Sequence, residues 1–278
     1  MTDENRQQPK PAKPRRRVWR RLALAFGLCI LVPTVTGAAL NASTDRAWWQ
    51  ARRDSTGQAP DPKSTPEAVV QVYTGRAFSW RGTFGVHSWI AVKPSGADHY
   101  TRLEVVGWGV SRGAEAVRIH PGTPDGYWFG NWPDLLVDLR GPGVDRIIEK
   151  IVAAAATYPH NHLYRLWPGP NSNSFTAFIG RKVPELRLDL PPTAIGKDYL
   201  GDRIVDWTPS RTGFQASLFG VFGIALGLEE GIEINVLGLN FGLDVNDMAL
   251  RLPTIGWIGP ARKPTTTAEQ AAINERQG

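Results

Sequence analysis

The chain has 278 residues, 42% of them hydrophobic and 21% charged, with a net charge of +6. That composition excludes collagen, a long coiled coil and wholesale disorder, and the single cysteine, Cys29, excludes an intramolecular disulfide framework and cysteine-rich zinc modules. The charge is local: eight of the 32 Lys and Arg and two of the 26 Asp and Glu fall in residues 1–21, so the remaining 24 and 24 balance. A neutral body offers no electrostatic footprint for a phosphate backbone, and nucleic acid is not an expected partner.

In chain order, residues 1–21 form a basic tail, expected to be cytoplasmic. Leu22 to Leu40 then runs nineteen residues without a charge. About 20 apolar residues cross a bilayer core, and arginines on the amino side set orientation. The run therefore predicts one transmembrane helix or signal anchor in contact with membrane lipid. It places a single-pass protein in the inner (cytoplasmic) membrane, amino terminus in the cytoplasm and body on the periplasmic side. The small residues Gly37-Ala38-Ala39 leave open cleavage after Ala39, as in a signal peptide.

Residues 41–66, with Pro60, Pro62 and Pro66, read as a linker, and the folded domain is expected over 67–260. Ala68–Thr74, Phe84–Val92 and Tyr100–Gly107 read as strands, the last two joined by turn chemistry at Pro94–Asp98. Residues 120–143, rich in Gly, Pro and Trp, read as a long surface loop. Val144–Tyr158 is the clearest helix, with Ile147, Ile148, Ile151 and Val152 on one face and Pro159 as its stop. A second helix is expected from about Asn173 to Arg181. The apolar, glycine-rich Phe214–Leu228 is expected to be a buried hairpin or loop, Ile232–Phe241 and Met248–Ile258 late strands, and 261–278 a disordered tail. Strands and helices in blocks predict an α+β fold, an antiparallel sheet packed with helices.

Two segments carry chemistry. Thr83–Val92 places His87 near the start of a strand. Trp167-Pro168-Gly169-Pro170-Asn171-Ser172-Asn173-Ser174-Phe175 places small hydroxyl and amide residues at a helix start. A helix amino terminus stabilises an anionic nucleophile, and a strand-held imidazole is positioned as a base. The same residue types also serve as ordinary helix caps, and a strand histidine is often purely structural. If Pro94–Asp98 closes a symmetric hairpin, Glu104 lies nearly opposite Trp89 on the face of His87. His160 and His162, two apart after the first helix, fit a helix-end role better than a metal site. Trp128, Trp132 and Trp167 lie near the proposed cleft, with Arg165 just before the second motif. No metal and no cofactor are expected.

The two motifs together resemble the circularly permuted branch of the papain-like superfamily. That branch resembles NlpC-type cell-wall peptidases and includes lecithin:retinol acyltransferase-like proteins and PPPDE peptidases. The resemblance covers about 68–183, leaving 184–260 as a β-rich extension. Residues 65–260, through "GVHSWIAVK", "YRLWPGPNSNSFTAFIGRKVP" and "LGLNFGLDVNDMALRLP", resemble a bacterial membrane-associated domain of unknown function, 3750. The papain-like resemblance implies a strand histidine at His87 and a nucleophile at position 172, where Ser172 stands in place of cysteine. It carries His87 and Ser172 as candidate catalytic residues; no motif fixes the third polar member, for which the hairpin register makes Glu104 the candidate. Asn171, Asn173, Ser174, Trp89, Trp167 and Arg165 are the candidate substrate contacts.

Because a serine hydroxyl is a weaker nucleophile than a thiol, the expected function is a non-catalytic papain-like module. It would bind a peptide, glycan or lipid at the cell envelope. The alternatives are a serine-dependent amide or ester hydrolase or acyltransferase acting on cell-wall peptide or lipid, and a structural envelope protein.

Overall fold

A computed structural model describes residues 15–41 and 47–267. Helix α1 covers Arg15–Asn41, and after it β1 (Val69–Arg76), the one-turn helix α2 (Arg81–Phe84), β2 (Val86–Lys93), β3 (Thr101–Val105) and β4 (Val117–Pro121) follow. Then come β5 (Asp134–Arg140), α3 (Val144–Ala156) and α4 (Ser172–Lys182). The rest is strand: β6 (Val205–Trp207), β7 (Gly213–Leu218), β8 (Phe222–Gly227), β9 (Gly231–Val236), β10 (Leu239–Asp244), β11 (Ala249–Leu252), β12 (Gly256–Ile258) and β13 (Thr265–Thr266).

Two sheets organise these strands. A six-stranded sheet has the order β13-β5-β1-β2-β3-β4, antiparallel except that β13 runs parallel to β5. A seven-stranded antiparallel meander runs β12 to β6 in sequence order. Helices α3 and α4 cover one face of the first sheet, where Val70, Val72, Ile90 and Leu103 meet Ile147, Ile151, Phe175 and Ile179 in one apolar cluster. On the other face Tyr73, Trp89 and Tyr100 pack with Trp128. Strand β2 is buried along its whole length because both faces are covered, so it lacks the alternation of a half-exposed strand.

Helix α4 starts where its sequence says it should. The Asn171 side chain accepts from the Asn173 and Ser174 N–H groups, and the Ser174 hydroxyl accepts from the Asn171 N–H, a reciprocal capping box. Such a cap contributes about 1 kcal/mol.

Several expectations are corrected. The fold is mostly β-sheet with few helices, not the α+β balance expected, because everything after residue 205 that forms regular structure is strand. Among the described residues no helix is long and apolar enough to cross a membrane, which overturns both the transmembrane helix and the single-pass inner-membrane placement. The physical reason is dilution. Helix α1 begins with Arg15, Arg16, Arg17, Arg20 and Arg21, and Gly27, Pro33, Thr34, Thr36 and Gly37 interrupt its apolar part.

Within the expected loop at 120–143, Asp134–Arg140 is strand β5 and buries Val137 and Leu139 against β1. Part of the expected linker wraps Asp125, whose carboxylate accepts from the Ser55 and Thr56 hydroxyls and the Gln58 N–H. Of the expected tail, Thr265–Thr266 pairs with β5, and residues 268–278 lie outside the described residues, as do 1–14 of the basic tail. Phe214–Leu228 is a hairpin, but its large apolar side chains are exposed.

Candidate functional site

The β2–β3 register pairs Trp89 with Glu104, which sets Glu104 diagonally from His87 on the same sheet face. The His87 Nε2–H donates to Glu104 Oε2 at 2.7 Å, since a carboxylate only accepts. Arg102 donates to the same oxygen at 3.1 Å, and His120 Nε2 to Oε1 at 3.2 Å. The imidazole of His87 lies flat on the Trp128 indole, ring centres 3.7 Å apart and planes 7° from parallel.

Electrostatics follow from this packing. Burial alone would raise the Glu104 carboxyl, but hydrogen bonds from His120 and His87 and the Arg102 charge outweigh it and hold the group well below the usual carboxylate range. Burial pushes His87 below its ordinary value despite the Glu104 bond and so favours the neutral ring; with Nε2 donating to Glu104, Nδ1 is then its acceptor nitrogen. The Glu104 bond lifts His120 above its ordinary value. Its Nδ1 faces the Pro121 carbonyl, so both ring nitrogens meet acceptors and the imidazolium is favoured.

A cavity of about 570 Å³ opens beside this pair. Its aromatic walls include Trp80, Trp108, Trp128, Tyr164 and Trp167. His87, Asn171, Ser172 and Asn173 supply polar groups, and Arg81 is the lining side chain with a full charge among the described residues. Trp80, Trp108 and Trp167 are 66%, 63% and 50% exposed, an unusual openness for indoles.

The expected residues meet different fates. Ser172 begins α4, is buried and lines the cavity, yet its hydroxyl makes no hydrogen bond to His87. Strand parity explains why. Ser88 faces α4, donating to the Thr176 hydroxyl at 2.9 Å, so His87 takes the opposite face and reaches the cavity from another wall. Asn171 and Ser174 serve the cap; Asn171 Nδ2 also donates to the Leu166 and Ile195 carbonyls, and the Ser174 hydroxyl to Gly196 O at 2.7 Å. Any side chain at Gly196 (φ 96°) would collide with the Asn171 amide. The Asn173 Nδ2 donates to the Val86 and Ile195 carbonyls, while its buried Oδ1 has no hydrogen-bond partner.

Trp167 lines the cavity, its Nε1–H donating to Leu237 O. Trp89 does not line it: the side chain is wholly buried and donates to Pro124 O at 2.7 Å. Arg165 is exposed and also lies away from the lining. Among the described residues no group of three or more His, Cys, Asp or Glu is arranged to hold a metal.

Residues 67–199 match the family model described as a protein of unknown function, DUF3750. The matched segment contains β1 to β5, α3, α4 and every described residue that lines the cavity, whereas the seven-stranded sheet lies beyond it. The family description carries no activity. No curated protein and no solved structure matches the chain, and the papain-like core and a bacterial origin are not confirmed.

Six contributors within the matched segment escape a reading of sequence: Arg102 and His120 on Glu104, and Trp80, Arg81, Trp108 and Tyr164 on the cavity wall. His120 reads as turn sequence. Its signal is register, because β4 sets it directly opposite Arg102.

Proposed function

We propose that the chain is a non-catalytic binding module whose cavity takes a neutral glycan. The observation that carries this reading is a pairing of exposed indole faces with unpaired acceptors. Trp108 and Trp167 stand exposed at the cavity, while the Ser172 hydroxyl is unbonded and the neutral His87 ring, donating through Nε2, leaves Nδ1 as an acceptor. A ring-shaped ligand bearing hydroxyl donors satisfies both, laying its C–H face on an indole and its hydroxyls on the acceptors. A carboxylate-rich or phosphorylated ligand would find only Arg81 to answer its charge.

The test is tryptophan fluorescence titrated with N-acetylglucosamine oligosaccharides. Saturable quenching is expected in the wild type, with affinity falling about tenfold in Trp108→Ala or Trp167→Ala. Absence of saturable binding by the wild type overturns the reading.

One observation favours a second reading, a serine-dependent amide or ester hydrolase or acyltransferase. The Ser172 hydroxyl is unbonded at a helix amino terminus, and a Glu104-oriented neutral imidazole shares its cavity. Fluorophosphonate labelling that disappears in Ser172→Ala would replace the binding reading with this one.

A further inference from the structure

The seven-stranded sheet is built inside out. Apart from the small Ala225 and Ala249, its buried inward side chains are mostly polar, among them Gln215, Glu233, Asn235, Asp244 and Arg251. Its outward positions include Phe214, Ile224, Leu226, Ile232, Ile234 and Leu250, which are 45–57% exposed. Cross-strand register pairs apolar with apolar on that face: Phe214 with Leu226, Ile224 with Ile234, Ile232 with Leu243, Leu250 with Ile258. No outward position from β6 to β12 holds a charged or polar side chain. Soluble monomers rarely leave so continuous an apolar surface to water.

We infer that this face is closed by the same face of a second copy of the chain, the two sheets stacking into a sandwich across a two-fold axis. A uniformly apolar face is complementary to itself, as an isologous contact requires. Its size also fits. Six gaps of about 4.8 Å and strands of up to six residues at about 3.4 Å give a footprint near 500–600 Å² per copy. Two copies would thus bury about 1,100 Å² as flat area and more once protruding side chains interdigitate, which reaches the range of about 1,200–2,000 Å² for stable interfaces. Sheets stacked this way lie about 10 Å apart with their side chains interleaved.

Other occupants fit less well. The chain outside the described residues comprises 1–14, 42–46 and 268–278, short and largely polar. Helix α1 leaves Leu28 and Val35 exposed instead of seating them on the sheet. Hydrocarbon would strand the unpaired backbone groups of the edge strands β6 and β12.

The experiment is sedimentation equilibrium on the full chain, wild type against Ile234→Asp and the milder Leu226→Ser. Both residues point outward, so far-UV circular dichroism is expected to stay unchanged. The wild type is expected at twice the 30.6 kDa chain mass. A charge at the sheet centre is expected to weaken the dimer about 100-fold or more, and Leu226→Ser to weaken it less. Leu28→Asp in α1 is expected to leave the dimer intact. A wild type that remains monomeric overturns the inference. So does a dimer that survives Ile234→Asp, or one lost in Leu28→Asp alone. Co-sedimentation of a monomeric wild type with phosphatidylcholine–phosphatidylglycerol vesicles, abolished by Ile234→Asp, would assign the face to lipid instead.

Discussion

In the six-stranded sheet, Val70, Val72, Ile90 and Leu103 are sealed under two helices, and the buried charges gather on the opposite face around Glu104. In the seven-stranded sheet the side facing the body holds Arg251, whose guanidinium meets Asp189 at 2.5 Å, Glu233 at 2.6 Å and Asp244 at 3.4 Å. Lys197 pairs with the same Glu233, and Asn235 donates to Asp198 at 2.9 Å. The first sheet is held by apolar area, worth about 25 cal/mol per Å² buried. The second is held to the body by mutual compensation of charges that would each be costly alone. The difference teaches that the two sheets fail differently. An apolar core loses energy in proportion to the atoms removed, whereas an ionic one fails when a single partner is lost.

The largest test of that contrast is Arg251→Met. Burial opposes the Arg251 charge, but Asp189 and Glu233 more than restore it. Without it Glu233 keeps Lys197 and Asp189 keeps Arg262, but buried negative charge is left under-compensated, and a loss of about 3–5 kcal/mol in urea denaturation is expected. If the single substitution costs under about 1 kcal/mol, the ionic account of this sheet fails.

Glu104→Gln applies the same test to the six-stranded sheet, where one carboxylate serves His87, Arg102 and His120. A loss of about 1.5–3 kcal/mol at neutral pH is expected, because the bonds are charge-assisted but the apolar core remains. The sign with pH follows from the depressed carboxyl. Its contribution is present above the unfolded value of about 4.3 and is lost as pH falls, because the unfolded chain then binds a proton that the folded chain refuses. Wild-type and variant stabilities should therefore converge in acid. A gap that stays constant down to pH 3 would show that Glu104 acts by packing alone.

Much of the six-stranded sheet was legible. Asn171, Ser174 and the Pro170 before them announce the start of α4, and the turn at Pro94–Asp98 makes the Trp89–Glu104 pairing a matter of counting. What counting does not supply is which side of a doubly covered strand a helix will choose. One residue of parity puts Ser88, not His87, under α4, so His87 and Ser172 reach their shared cavity from different walls. Strand β5 was hidden by the Gly, Pro and Trp around it. In the seven-stranded sheet, alternation such as Ile232-Glu233-Ile234-Asn235 correctly signals strand. The rule that apolar side chains point inward then assigns the wrong face, because charge complementarity with Arg251 and Lys197 pulls the polar set in.

The smallest predicted effect sharpens the contrast at its edge. His120 belongs to the Glu104 cluster but is 46% exposed, whereas Arg251 is fully buried. Solvent screening should hold the cost of His120→Gln to a few tenths of a kcal/mol. Its pH dependence is opposite in sign to that of Glu104. The Glu104 hydrogen bond raises the imidazole's folded value, so its contribution is full below the unfolded value of about 6.5 and is lost as pH rises through the folded one. Nuclear magnetic resonance titration of the His120 ring reports this directly. The wild-type resonance should titrate above the ordinary histidine value and return towards it in Glu104→Gln. Equal midpoints in the two proteins would mean that the His120–Glu104 contact carries no free energy. The ion pairs that matter in the six-stranded sheet would then be only its buried ones, as in its neighbour.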